Sequence, residues 1–290
     1  MKPSIPIKKP LLHLFQGDFD PQILTAYFEK IGFVDKPGVT LKCLKLLHAL
    51  HPQAIPFENL SPLLGLPVSL EGKALWLKFV KEGRGGYCFE HNLMFGNVLK
   101  SLGFEARGLS ARVFWEVGED EVKPRDHMLL LVEAAGKRYI ADVGFGGISL
   151  TAPLELNYIG IQKTSHESYR VTLEGDFYYL EILIKQKWRL MYRFTLEEQL
   201  LPDYDVVSWY LCTHEKSIFT RDLMVARCTS WGRYSLFNNR LSTYHLDGTS
   251  DKKFLSSVAQ LKEVLEVVFL IDLPRHKELD RKLGTLLKEK

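Results

Sequence analysis

The hydrophobic period of the chain changes near residue 104, and that change requires a helical part followed by a β part. Before it, apolar residues recur at helical spacing. Leu24, Tyr27, Phe28 and Ile31 stand at i, i+3, i+4 and i+7, with Asp20 and Pro21 ahead as N-cap and first-turn residues. Leu41, Leu44, Leu47 and His48 make a second stripe behind Thr40, and Met94, Phe95, Val98, Leu99 and Leu102 a third, which Gly103 ends. Between these two, Pro52, Pro56, Pro62, Gly65 and Pro67 break the helical rhythm. From Phe104 to Thr195 the period is two: Trp188, Leu190, Tyr192 and Phe194 alternate with Arg189, Met191 and Arg193. The run 176–184 is their partner across a Lys185-Gln186-Lys187 turn. Beyond Pro202 the pattern is mixed, with short strand-like runs at 223–228 and 235–241 and a final helix carrying Phe254, Val258, Leu261, Leu265 and Val268 on one face. The fold class is therefore α+β in three parts: a helical bundle over 1–104, an antiparallel β-barrel or sheet over 105–200, and an α/β lid over 201–290.

A chain of 290 residues buries a full core without crosslinks. Its net charge of +3, with 25% charged and 46% hydrophobic residues, excludes a disordered chain, an acidic scaffold and a protein dominated by a basic nucleic-acid stripe. The N-terminal segment places only Leu11, Leu12, Leu14 and Phe15 behind its lysines, too few for a signal-peptide core. Stretches such as 128–132 fall far short of the ~20 apolar residues of a membrane helix. The expectation is a cytoplasmic protein with neither a membrane nor a nucleic-acid partner. Cys43, Cys88, Cys212 and Cys228 form no CxxC pair and read as free thiols. His48 and His51, and Cys88 and His91, are spaced i, i+3 but lack the further ligands of a zinc site, so no metal is expected.

The segment with the most chemical content is Arg84-Gly85-Gly86-Tyr87-Cys88-Phe89-Glu90. Two glycines let the backbone turn sharply and deliver Cys88 to a helix start, where free amides and the macrodipole favour a thiolate. Ionising a thiol of ordinary pKa at neutral pH takes a shift of about 2 units, ~2.7 kcal/mol. A helix terminus supplies ~0.3–1 kcal/mol and at most ~2. A second cation, most economically an imidazolium, is needed. Without one, Cys88 reads equally well as a small buried hydrophobe beside a capping turn.

The partner lies in a hairpin. Strand-like residues 127–132 and 138–143 flank Ala135 and Gly136. A turn at those two residues sets His127 opposite Gly144 and Asp142 opposite Leu129, which leaves His127 and Asp142 on one face as diagonal neighbours ~7–8 Å apart. A slip of one residue would separate them. In this register Asp142 fixes the imidazole tautomer and frees the other ring nitrogen for a thiol, the logic of a Cys-His-Asp triad; a hydrogen-bonded structural pair is the plainer alternative. Glu58, in Ile55-Pro56-Phe57-Glu58-Asn59-Leu60, is placed to pair with Arg84 and lock the cysteine loop. Gly144-Phe145-Gly146-Gly147 completes no phosphate-binding fingerprint and reads as a tight bend. Phe177-Tyr178-Tyr179 reads as strand surface and core, since no basic residues interleave it.

At these residues the sequence resembles the arylamine N-acetyltransferases. The resemblance rests on four motifs in order: Ile55 to Leu60, Arg84 to Glu90, His127 to Val132, and Ala141-Asp142-Val143-Gly144-Phe145-Gly146-Gly147. It spans most of the chain and weakens after about residue 200, where Thr213, Ser217, Phe219, Gly232 and Arg233 still follow the family pattern. It implies a fold related to papain-like proteases and transglutaminases, and a catalytic triad of Cys88, His127 and Asp142. It also implies a ping-pong acetyl transfer from acetyl-CoA, a co-substrate and no tightly bound cofactor, to an arylamine, arylhydroxylamine or hydrazine. Family likeness nominates Phe145 for the aromatic substrate, and Trp115, Phe145 and Gly146 for the acetyl-CoA entrance. The chain departs from the family at Asp126, commonly Thr, at His91, commonly Gln, and at Glu215, commonly Pro. Asp126 beside the donor entrance bears on CoA affinity. Two rival readings share these residues: an amide synthase or other acyltransferase with the same triad, and a non-catalytic paralogue that binds aromatic amines.

Overall fold

The computed structural model describes residues 14–15, 17–116 and 121–287. The N-terminal segment read above for a signal sequence lies, up to residue 13, outside them. Helix α1 (Pro21–Ile31) starts where Asp20 accepts the amides of Gln22 and Ile23, and it stops at Gly32, whose φ of 70° only glycine adopts freely. Helix α2 (Leu41–Ala54) starts on the Thr40 hydroxyl. It does not break at Pro52 but runs through it, because the proline falls in the last turn, where one lost amide bond is tolerated. Strand β1 (Phe57–Glu58) and α3 (Leu60–Leu63) follow. Beyond the proline-punctuated stretch lies a helix that spacing did not reveal, α4 (Gly72–Trp76), which widens into a π-turn over Leu77–Lys81. Helix α5 (Cys88–Ser101) begins at the cysteine and is buried along almost its whole length.

The middle of the chain gives β2 (Glu105–Val113), β3 (His127–Ala134), β4 (Lys137–Ala141), β5 (Leu154–Glu155), β6 (Gln162–Lys163), β7 (Ser168–Glu174), β8 (Phe177–Ile184) and β9 (Lys187–Glu198). Among the described residues these form one antiparallel sheet in the order β5-β4-β3-β2-β9-β8-β7-β6. Its outer strands approach each other: the Gln162 amide accepts from Glu155 N at 2.7 Å and donates to Glu155 O at 2.9 Å, so the sheet curls into a barrel. Leu109, Leu129, Leu131, Ile140, Leu180, Tyr192 and Phe194 fill its interior. On the other face of β2 and β3, Ala106, Met128, Leu130 and Val132 pack into the helical core with α5. The expected alternation in β9 fails at one point. A bulge lets Leu180 pair with Tyr192 and Glu181 with Leu190, which leaves Met191 unpaired and buried beside Tyr192.

The last third begins with α6 (Leu201–Thr213) and α7 (Ile218–Arg221), then β10 (Met224–Thr229), β11 (Gly232–Phe237), β12 (Arg240–His245) and β13 (Ser250–Phe254). The run expected as one strand at 235–241 is a hairpin turning at Asn238 and Asn239. Phe254 ends β13 and does not belong to the following helix α8 (Val258–Glu263), which passes into a π-turn over Val264–Val268; α9 (Leu279–Thr285) is the last helix among the described residues. The edge of this second sheet comes from far upstream: Phe57 pairs with Ala226 and Glu58 with Val225. That short strand ties the cysteine loop to the C-terminal sheet. No helix among the described residues is long and apolar enough to cross a membrane.

Candidate active site

Cys88 is the first residue of α5, and the loop before it is shaped by close approach. A Cβ on Gly85 would meet the Pro56 carbonyl oxygen at 1.9 Å, and one on Gly86 the Glu90 carboxylate at 2.5 Å. Neither glycine has a positive φ, so they are needed for space and not for the sharp turn expected of them. Glu90 accepts the Tyr87 amide at 3.0 Å and caps the helix start, while Lys78 neutralises its other oxygen at 2.5 Å. The expected clamp is present: Glu58 Oε1 accepts Arg84 Nε and Nη2 at 3.0 and 2.7 Å, and Oε2 accepts the Leu60 amide at 2.6 Å. Burial alone would raise the Glu58 carboxyl, but Arg84 and Lys78 hold it below its ordinary range.

The hairpin takes the expected register. Ala134 pairs with Lys137 and Leu130 with Ala141, around a turn in which Ala135 and Gly136 have φ of 50° and 72°. His127 and Asp142 consequently meet, with Nε2 to Oδ2 at 2.7 Å, both side chains buried. Asp142 is fully satisfied: Tyr192 donates to Oδ2 at 3.1 Å, and Asn92 Nδ2 and the Gly144 amide each reach Oδ1 at 3.1 Å. Burial would raise this carboxyl, yet His127 and these hydrogen bonds keep it below its ordinary range, an ionised group. With Nε2 committed to Asp142, Nδ1 is the ring nitrogen left for chemistry.

Asn92, one turn after Cys88, joins the two halves. Its amide donates to the carbonyls of Cys88 at 3.2 Å and Met128 at 2.8 Å besides Asp142, and its oxygen accepts the Val143 amide at 3.1 Å. Gly144 packs against the start of α5 so closely that a Cβ would lie 2.9 Å from the Cys88 carbonyl. The Cys88 thiol lies 3.7 Å from the Asp126 carbonyl, on the backbone that carries His127. Burial pushes this thiol well above its ordinary range, Asp126 and Asp142 push the same way, and the amides of Met128 and Phe89 pull only partly back. The helix dipole therefore falls further short here, and a thiolate at Cys88 needs an imidazolium beside it.

Phe145 lies with its ring 5.0 Å from that of His127 and 5.5 Å from that of Tyr192. Gly146, with φ of 88°, belongs to a turn tied by the Ser149 hydroxyl. Trp115 stands four residues past Ala111, the strand partner of His127, with the Arg189 guanidinium 4.0 Å above its ring. The histidines considered for metal are hydrogen-bonded instead. Because His91 Nε2 must donate to the Pro56 carbonyl at 3.1 Å, the neutral chain is directional: Tyr27 donates to His51 and His51 to His91, at 2.7 and 2.8 Å. His48 Nε2 accepts the Asp142 amide at 3.1 Å. Among the described residues no three His, Cys, Asp or Glu are grouped as metal ligands. Two surface cavities, of about 790 and 640 Å³, are lined by other residues: one by the 62–68 segment with α6 and α9, the other by the 156–161 segment with β7, Tyr178 and Trp188.

A cysteine at a helix start, across from a buried and hydrogen-bonded His–Asp pair, is the arrangement that cysteine-nucleophile enzymes share. The comparisons narrow this class. The sequence model of the N-acetyltransferase family matches residues 40–278. The arylamine N-acetyltransferase of Mycolicibacterium smegmatis is 41% identical over 254 residues, covering 86% of this chain and 92% of that protein. That of Escherichia coli is 38% identical over 248 residues, covering 85% and 88%. The solved M. smegmatis structure superposes with a TM-score of 0.88 at 38% identity over 92% of this chain and 99% of its own. The Mycobacterium marinum enzyme in complex with CoA does so with 0.87 at 35% identity over 91% and 99%. The chain belongs to the arylamine N-acetyltransferase family.

Proposed function

We propose that the protein transfers an acetyl group from acetyl-CoA, through a thioester on Cys88, to the nitrogen of an arylamine or hydrazine or to an arylhydroxylamine. The observation that carries the reading is the Asn92 tie, which fixes the helix start at Cys88 to the carboxylate that orients His127. Family membership supports the activity, and the CoA complex of the M. marinum relative supports the donor. As the donor is attacked His127 Nδ1 takes the Cys88 proton, and Asp142 stabilises the imidazolium that forms. The thiolate adds to the thioester carbonyl, CoA leaves as its thiol with the proton from His127, and acetyl stays on sulfur. The acceptor then adds to the acetyl carbon, neutral His127 takes its proton, and the Cys88 thiolate departs. An aniline or arylhydrazine is uncharged at neutral pH and attacks directly, whereas a lysine-like amine is protonated. Phe145, in contact with the imidazole ring, supplies an aromatic wall for such an acceptor, and Trp115 and Gly146 line the donor entrance. Steady-state rates with both substrates varied test the order: parallel double-reciprocal lines are expected, and intersecting lines would contradict the covalent intermediate.

A further inference from the structure

Asp142 stands one residue beyond its strand. β4 pairs with β3 as far as Ala141 and with β5 at Tyr139 and Ile140, so the Asp142 amide lies past both ladders. A side chain from α2 takes it instead: the amide donates to His48 Nε2 at 3.1 Å. Four donors hold the other end of the residue, the carboxylate. The imidazole therefore fixes the piece of backbone from which the carboxylate reaches His127.

Packing does not account for a histidine here. His48 shares the buried face of α2 with Leu44 and Leu47 and meets the Phe95 ring edge-on at 5.8 Å. With Nε2 as acceptor its proton sits on Nδ1, which is buried with no hydrogen-bond partner among the described residues. A leucine would remove that orphaned donor and create another, the Asp142 amide. One buried N–H is unpaired either way, so stability gains little from the imidazole. What differs is the place of the unpaired donor: on α2, or at the residue that orients His127.

We propose that His48 is a positioning residue for the reaction: its neutral imidazole pins the Asp142 backbone, so that the carboxylate keeps the His127 ring in the orientation that leaves Nδ1 for proton transfer. The inference rests on the acetyl-transfer reading above. His48 touches neither substrate nor the reacting atoms. Burial lowers its pKa to about 4, so the Nε2 lone pair is present at neutral pH. His127 moves a proton in both half-reactions, so both slow together when its orientation loosens, while donor and acceptor bind as before.

Single turnovers at neutral pH, with acetyl-CoA and then aniline each varied to saturation, separate these quantities. For His48→Leu the limiting rates of acylation and deacylation are each expected to fall about tenfold, because a small displacement of a catalytic group is enough for such a loss. Half-saturating concentrations should stay within about twofold of wild type, and Tm within about 4 °C. His48→Gln, whose side-chain oxygen reaches the place of Nε2 and accepts the same amide, should return both rates to within about threefold of wild type. Limiting rates in His48→Leu within about twofold of wild type would overturn the proposal alone. So would a loss expressed in half-saturation and not in the limiting rates, a glutamine variant no faster than the leucine one, or a leucine variant that does not fold. A wild-type protein that forms no acetyl-enzyme would overturn the acetyl-transfer reading together with it.

Discussion

Replacing Glu58 tests whether a buried ion pair holds the cysteine loop in place. Glu58 is 1% and Arg84 6% exposed, so water screens neither. Glu58→Ala leaves the guanidinium buried with, among the described residues, only the Ser61 hydroxyl at 3.4 Å, and strips the Leu60 amide of its acceptor. Breaking one side of such a pair costs about 3–5 kcal/mol, and an orphaned buried amide about 1–3. The two overlap, which places the loss at about 4–6 kcal/mol out of a typical 5–15. Thermal unfolding followed by circular dichroism should show Tm lowered by roughly 10–20 °C. Glu58→Gln keeps an acceptor for Leu60 but not the charge, and should fall between. Glu58→Ala with Arg84→Met removes both charges and should recover part of the loss, since an apolar pair replaces a buried ion pair at little cost. The pH dependence has a definite sign. The folded-state pKa of Glu58 lies below its ordinary value, so its contribution is complete above about pH 4.3 and disappears as pH falls through the folded value. The gap between wild type and Glu58→Ala should close in acid. A drop in Tm under about 3 °C at pH 7, or a double variant no better than the single, would refute the clamp.

Three further outcomes follow from the same geometry. Gly85→Ala should fold yet lose about a hundredfold in acetyl transfer, because its Cβ would displace the Pro56 carbonyl and the loop with it; activity within about threefold would contradict this. Tyr192→Phe removes one of four hydrogen bonds to Asp142, and kcat/KM should fall about fivefold with Tm nearly unchanged; a wild-type rate would make that bond irrelevant. Burial lowers His48 and His91 to about 4, so between that value and about 6.5 the unfolded chain binds protons the folded one does not, and stability rises with pH and is lost as pH falls. His91→Gln should reduce the proton uptake on unfolding at pH 5 by about one, measured from the slope of stability against pH.

Features set by local rules were legible in the sequence. The hairpin register followed from Ala135 and Gly136, because a two-residue turn leaves no freedom in pairing, and with it came the meeting of His127 and Asp142. The helix start at Cys88 and the Glu58–Arg84 pair were readable for similar reasons. What escaped depends on distant partners. Asn92 stands one helical turn from Cys88, but nothing local says that its amide reaches Met128 and Asp142. Residues 57 and 58 gave no strand signal, because a two-residue strand exists only through its partners, here Gly86 on one side and β10 some 170 residues later on the other. The bulge at Met191 hid within a flawless alternation, since an extra residue in a strand alters geometry and not composition. Phe254 fitted the helical face of α8 by spacing, and it went to β13 because β12 offered it a partner in Arg240.

The central claim is that Cys88 carries the acetyl group. Intact mass of the protein mixed with acetyl-CoA, without acceptor and beside a Cys88→Ala control, tests it most directly. The account predicts one adduct of about 42 Da on the wild type, none on the control, and its loss on adding an aniline or arylhydrazine. An unmodified wild-type protein, or an adduct that persists in Cys88→Ala, would contradict it.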